Sequence, residues 1–78
     1  MNGCIRRFLA ALVERYGRLE VDRQPLGRVV IRCGSEKRLT YNGMCLLGRA
    51  WVHETYGRVG SGRLASNLGA LAHASLVS

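Results

Sequence analysis

Ile5, Phe8, Leu9, Leu12, Val13 and Tyr16 recur at i, i+3, i+4, i+7, i+8 and i+11, the apolar stripe of a helix that covers a core with one face. Asn2 suits the N-cap and Gly17 the position just past the end, so the pattern predicts a helix from about residue 3 to residue 16. Arg6, Arg7, Glu14 and Arg15 lie on its polar face. A basic amphipathic helix can lie on an anionic membrane. A stripe this broad reads first as the cover of a core.

The period then changes from helical to alternating. Leu19–Arg23, Arg28–Cys33 and Lys37–Tyr41 read as short strands, separated by Pro25 and Gly27 and then by Gly34-Ser35. An antiparallel meander follows, and the hydrophobic pattern sets its register. Three-residue loops at Pro25-Leu26-Gly27 and Gly34-Ser35-Glu36 place Val21 opposite Ile31, Leu19 opposite Cys33, Ile31 opposite Leu39 and Val29 opposite Tyr41, all on one face. A two-residue Gly34-Ser35 turn would set Ile31 against Arg38, a poor core pair. The longer loop is therefore expected.

Helical spacing returns in the last third. Asn42 is read as the cap of a helix carrying Met44, Leu47, Ala50 and Trp51 and ending near Gly57. Glycines between 57 and 62 interrupt it. Ser61 is read as the cap of a final helix with Leu64, Leu68, Leu71 and Ala72 on one side. Ala65, Gly69 and Ala72 let another backbone approach, which permits a homodimer but more simply serves packing within the chain. The expected fold is a small single α+β domain, α-β-β-β-α-α, spanning 1–78, with a three-stranded antiparallel meander and helices packed on one face.

Composition supports a folded unit and weakens most catalytic readings. The chain has 78 residues, of which 47% are hydrophobic, too many for a disordered segment. A core this small leaves little structure with which to preorganise a deep active site. The three cysteines, Cys4, Cys33 and Cys45, do not describe a disulfide framework and suggest free thiols in a reducing cytoplasm. Phe8–Val13 is too short for a secretory signal, and no run approaches the ~20 apolar residues of a membrane span.

Several motifs bear on chemistry. Gly60-Ser61-Gly62-Arg63-Leu64-Ala65 matches a dinucleotide fingerprint in letters, but no strand is expected before it and too little chain follows. What survives is a helix start flanked by Arg58 and Arg63 that can attract an anion. Cys4, Cys33, Cys45, His53 and His73 lack the short ligand spacings of zinc sites, so no metal is expected. Cys45 and His53 fall about two turns, or ~12 Å, apart on one helix, out of reach of each other. Glu20 and Asp22 sit among arginines as charge balance. No catalytic residue and no cofactor are expected.

Charge supplies the functional reading. Twelve cations oppose five carboxylates for a net +7, and Lys37 is the only lysine. Arginine suits docking on carboxylates and phosphates, although a GC-rich gene also spells its cations as arginine. In the expected register the outer sheet face collects Glu20, Asp22, Arg28, Val30, Arg32, Arg38 and Thr40. Arg32 opposes Arg38, a destabilising pair that calls for a counter-charge. Glu20 can supply one internally, or an acidic ligand can supply it across Arg28, Arg32 and Arg38.

Over residues 3–57 the element order is similar to that of the double-stranded-RNA-binding domain. That family's lysine cluster at the second helix is replaced by Asn42-Gly43-Met44-Cys45, and its loop histidine is missing from Arg23–Arg28. In size and composition the chain also looks like the small accessory proteins of phages and mobile elements, anti-CRISPR proteins among them. The expected function is therefore that of a cytoplasmic, non-enzymatic regulator or inhibitor. It would bind an acidic macromolecule, a host protein or ribonucleoprotein first, through Arg28, Arg32, Arg38, Arg58 and Arg63. The alternative is a nucleic-acid-binding regulator using the same arginines.

Overall fold

The computed structural model describes residues 3–58 and 62–78. Helix α1 (Gly3–Tyr16) leads into strand β1 (Leu19–Arg23), strand β2 (Val29–Cys33) and strand β3 (Lys37–Leu39), followed by helix α2 (Tyr41–Tyr56) and helix α3 (Gly62–Val77). The strands form one antiparallel sheet in the order β1-β2-β3. The fold is thus the expected α+β arrangement, α-β-β-β-α-α.

Register follows the apolar alternation. Leu19 pairs with Cys33, Val21 with Ile31, and Ile31 with Leu39. Both connections keep the expected three-residue loops, since Cys33 pairs with Lys37 and the Gln24 amide donates to the Arg28 carbonyl at 2.8 Å. One sheet face carries Ile31, Cys33 and Leu39 against Ile5, Phe8 and Leu12 of α1, Met44 and Val52 of α2, and Leu68 of α3. Burying each of the larger side chains stabilises the fold by about 1.5–3 kcal/mol. The stripe of α1 therefore covers this core. Among the described residues, no helix is long and apolar enough to cross a membrane.

Glycines decide how closely the backbones pass. Gly17 ends α1 at φ +111, its amide donating to the Val13 carbonyl at 2.9 Å. A Cβ there would sit 2.9 Å from the Cα of Gly34, and the Gly34 amide donates to the Arg18 carbonyl at 2.8 Å. The end of α1 is thereby locked to the β2–β3 turn. Gly69 of α3 lies against the backbone of Met44 and Cys45, which joins α2 and α3 as an intimate pair. Ala65 and Ala72 are buried in the same packing.

The junction of β3 and α2 differs from the expectation. β3 ends at Leu39 and α2 starts at Tyr41, so Tyr41 is not a strand residue and the Val29–Tyr41 pair does not form. On its other edge Val29 pairs with Arg23, as the Val21–Ile31 register requires. The cap is Thr40, not Asn42: the Gly43 amide donates to Thr40 Oγ1 at 3.1 Å and the Met44 amide to the Thr40 carbonyl at 2.9 Å. A threonine with extended backbone and a free hydroxyl is a ready cap, and it turns the chain into a helix two residues early. Tyr41, 50% exposed, packs edge-on against His73 of α3 with ring centroids 5.3 Å apart. Leu71, expected on the packed side of α3, is 51% exposed. The expected caps Asn2 and Ser61 lie outside the described residues.

Candidate functional site: the arginine face of the sheet

The helices cover only one side of the meander, so the other side displays the alternate residues of each strand. Glu20, Arg32 and Arg38 form one row across β1, β2 and β3, because Glu20 pairs with Arg32 and Arg32 with Arg38. The next row holds Asp22 opposite Val30. Arg28 precedes β2 with an extended backbone, and two-residue alternation sets it on the side of Val30 and Arg32. Arg28, Arg32 and Arg38 are all exposed. Thr40 has left the face to cap α2.

Val30 shows how this face is built. It lies on the side away from the core cluster yet is only 8% exposed. Its neighbours there are polar or charged, and long arginine stems can shield an apolar residue while their heads stay in water.

The Glu20–Arg32 ion pair, one of the two counter-charges open to Arg32, does not form. Glu20 and Arg32 are direct partners in register but make no salt bridge. Among the described residues the ion pair forms elsewhere, with Arg15 of α1 donating to Glu54 of α2 at 3.1 Å. The hydrogen bond and the charge of Glu54 hold the Arg15 guanidinium above its ordinary pKa. Glu20 and Arg32 are both exposed, and in open solvent an ion pair gains little over hydration.

Other arginines have structural work. Arg7 donates to the Tyr56 hydroxyl at 3.3 Å. Arg23 donates to the Val77 carbonyl at 2.7 Å and so holds the last turn of α3 to the sheet. Among the described residues, Arg6, Arg18, Arg28, Arg32, Arg38, Arg49 and Arg63 make no such contact. Of these, Arg28, Arg32 and Arg38 share one face of the sheet.

Arg58 and Arg63, the other expected anion-binding pair, belong to the helical side of the molecule. Arg58 is exposed in the bend after α2, and Arg63 is exposed in the first turn of α3. Residues 59–61 between them lie outside the described residues. The element before the Gly-Ser-Gly letters is the helix α2 rather than a strand, so the dinucleotide context is missing.

Two features escaped the sequence reading. An open recess of ≈ 450 Å³ lies where α1 meets the β2–β3 turn, lined by Arg15, Tyr16, Ser35, Glu36 and Lys37. Its cations are already engaged, Arg15 by Glu54 and Lys37 by the Tyr16 ring, whose centroid lies 5.3 Å from Nζ. The second is Leu26, fully exposed at the β1–β2 tip with φ +64. The composition gave no signal for either, because one needs two distant elements brought together and the other an unusual backbone angle.

Among the described residues no three histidines, cysteines or carboxylates gather in a way that could hold a metal ion. Cys33 is buried in the core, and that burial pushes its thiol pKa up despite the opposing charge of Lys37. Such a thiol is a poor nucleophile. No family model, curated protein or solved structure matches the chain.

Proposed function

We propose that this protein is a small stoichiometric binding module that docks an acidic protein, alone or within a ribonucleoprotein, on the outer face of its sheet. The observation that carries this reading is the Arg32–Arg38 pair. The two are direct cross-strand partners, exposed and without an ion pair, and Arg28 lies on the same side. Like charges in that position destabilise a sheet, so an external counter-charge gives the arrangement a purpose that folding does not.

The same face favours protein over bare nucleic acid. Glu20 and Asp22 on β1 share the face with the arginines of β2 and β3, and a phosphate backbone crossing the strands would lie against carboxylates as well as guanidinium groups. A folded protein can offer acidic groups to the arginines and neutral or basic ones to the carboxylates. The three free cysteines fit action in a reducing cytoplasm. A regulator or inhibitor of the kind carried by phages and mobile elements works in this way, by occupying its target. Nucleic-acid binding is the second reading, supported by the net charge of +7.

The deciding experiment is retention of partners from bacterial lysate on the immobilised chain, with and without nuclease, eluted across a salt gradient. A discrete acidic protein held after nuclease treatment is the expected result. Loss of all partners with nuclease would promote the second reading.

A further inference from the structure

We infer that Leu26 is the apolar anchor of the docking face, inserting into an apolar pocket rimmed by carboxylates on a protein partner; this rests on the binding reading above. A single exposed leucine on a protein surface ordinarily needs no explanation. Here three observations coincide. Leu26 is 100% exposed, so its side chain does nothing for the core. Its backbone sits at φ +64, ψ +25, a left-handed conformation in which glycine or asparagine rests easily and a leucine does not. It also occupies the tip of the β1–β2 hairpin, between exposed Pro25 and Gly27. A turn selected for folding alone would carry asparagine or glycine at this position.

The surroundings identify the occupant. Arg28 follows two residues later, and β2 carries Arg32 about 13 Å further along at ~3.3 Å per residue. Anchor and arginines thus lie within one patch of the size that a standard interface covers, ~800 Å² on each partner. Arg28, Arg32 and Arg38 make no ion pair with a described residue. Charge complementarity therefore calls for carboxylates around the pocket that receives the leucine. Arginine is among the residues that most often carry interface energy, and anchors that do so fill well-packed, desolvated pockets.

The test uses the full chain in competition. Wild-type protein is immobilised and loaded from nuclease-treated bacterial lysate. Soluble wild type, Leu26→Asn, and the combined Arg28→Ser, Arg32→Ser and Arg38→Ser variant are then used as competitors. Leu26→Asn is expected to displace the bound protein at least about tenfold less effectively than wild type, the loss of a buried leucine side chain. Its thermal midpoint is expected to equal or exceed that of wild type, because asparagine accepts the left-handed backbone. Capture alone does not support the anchor; the paired loss of affinity without loss of stability does.

Undiminished competition by Leu26→Asn, with weak competition by the arginine variant, overturns the anchor and leaves the docking face standing. Equal competition by all three chains overturns both. A lowered midpoint for Leu26→Asn would show that the leucine serves the fold, which also overturns the proposal. Partners that vanish with nuclease would make the tip a nucleic-acid contact instead, again against it.

Discussion

The backbones of Gly48 and Gly69 meet where α2 passes α3: a Cβ on Gly48 would lie 2.7 Å from the Gly69 amide nitrogen and 2.9 Å from its Cα. Both distances are to backbone, so no side chain can swing away to make room. Gly48→Ala should therefore force the helices apart, although alanine is the better helix former. The expected destabilisation is about 1–3 kcal/mol, read as a lower urea midpoint. Gly69→Ala should cost at least as much, because its Cβ would strike the Met44 carbonyl and Cys45 backbone. A neutral Gly48→Ala would mean that the two helices do not pack this closely.

Arg32 and Arg38 set binding against folding. Replacing Arg38 by Thr removes a like-charge cross-strand pair and adds a residue suited to strands. Stability should rise or hold, by some tenths of a kcal/mol, while partner retention falls. Thermal denaturation of Arg38→Thr at low and high salt checks this, with the gain shrinking as salt screens the wild-type repulsion.

Cys33 should make stability sensitive to alkali. Its thiol pKa is raised in the fold by burial, so the neutral thiol contributes stability that is complete below the unfolded value of about 8.5. That contribution is lost as pH rises from there through the higher folded value. Unfolding free energy should decline over this window in wild type and decline less in Cys33→Ala. A thiol reagent at neutral pH should label Cys4 and Cys45, which are partly exposed, well before Cys33.

Arg23 should act on the far end of α3. Its hydrogen bond to the Val77 carbonyl places a cation at a helix C-terminus, worth about 0.3–1 kcal/mol. Arg23→Ala should speed amide exchange in the last turn of α3 and leave exchange at Ile31 and Cys33 unchanged. Equal acceleration everywhere would mean that the contact stabilises the whole domain.

Local pattern made most of this architecture legible. Apart from exposed Val13 in the first and buried Val30 on the outer side of the second, the stripe from Ile5 to Tyr16 and the alternation from Leu19 to Leu39 each bury one face, so the period revealed the element and its register together. Composition could not decide between Thr40 and Asn42, since both are good caps and the choice depends on where Leu39 must enter the core. Arg15 with Glu54 and Arg23 with Val77 join residues far apart in sequence, and no periodicity announces them. Gly48 is a partial exception. A glycine inside a helix lowers stability unless something packs against it, a signal that was present but did not name Gly69. For the candidate site, register alone placed Arg32 beside Arg38 and Glu20 beside Arg32. It could not say whether the ion pair would close, because that depends on solvent exposure as well as position.

On the proposed docking reading, the location of the arginines rather than the total charge selects the partner. Two variants of equal charge test it most directly: Arg28→Ser with Arg32→Ser and Arg38→Ser, against Arg6→Ser with Arg18→Ser and Arg49→Ser. Each removes three exposed cations, lowering the net charge of +7 by 3. Measured by retention of the nuclease-resistant partner at fixed salt, the first should lose binding and the second should keep it. Equal loss in both would show that bulk charge drives the association and would contradict the account.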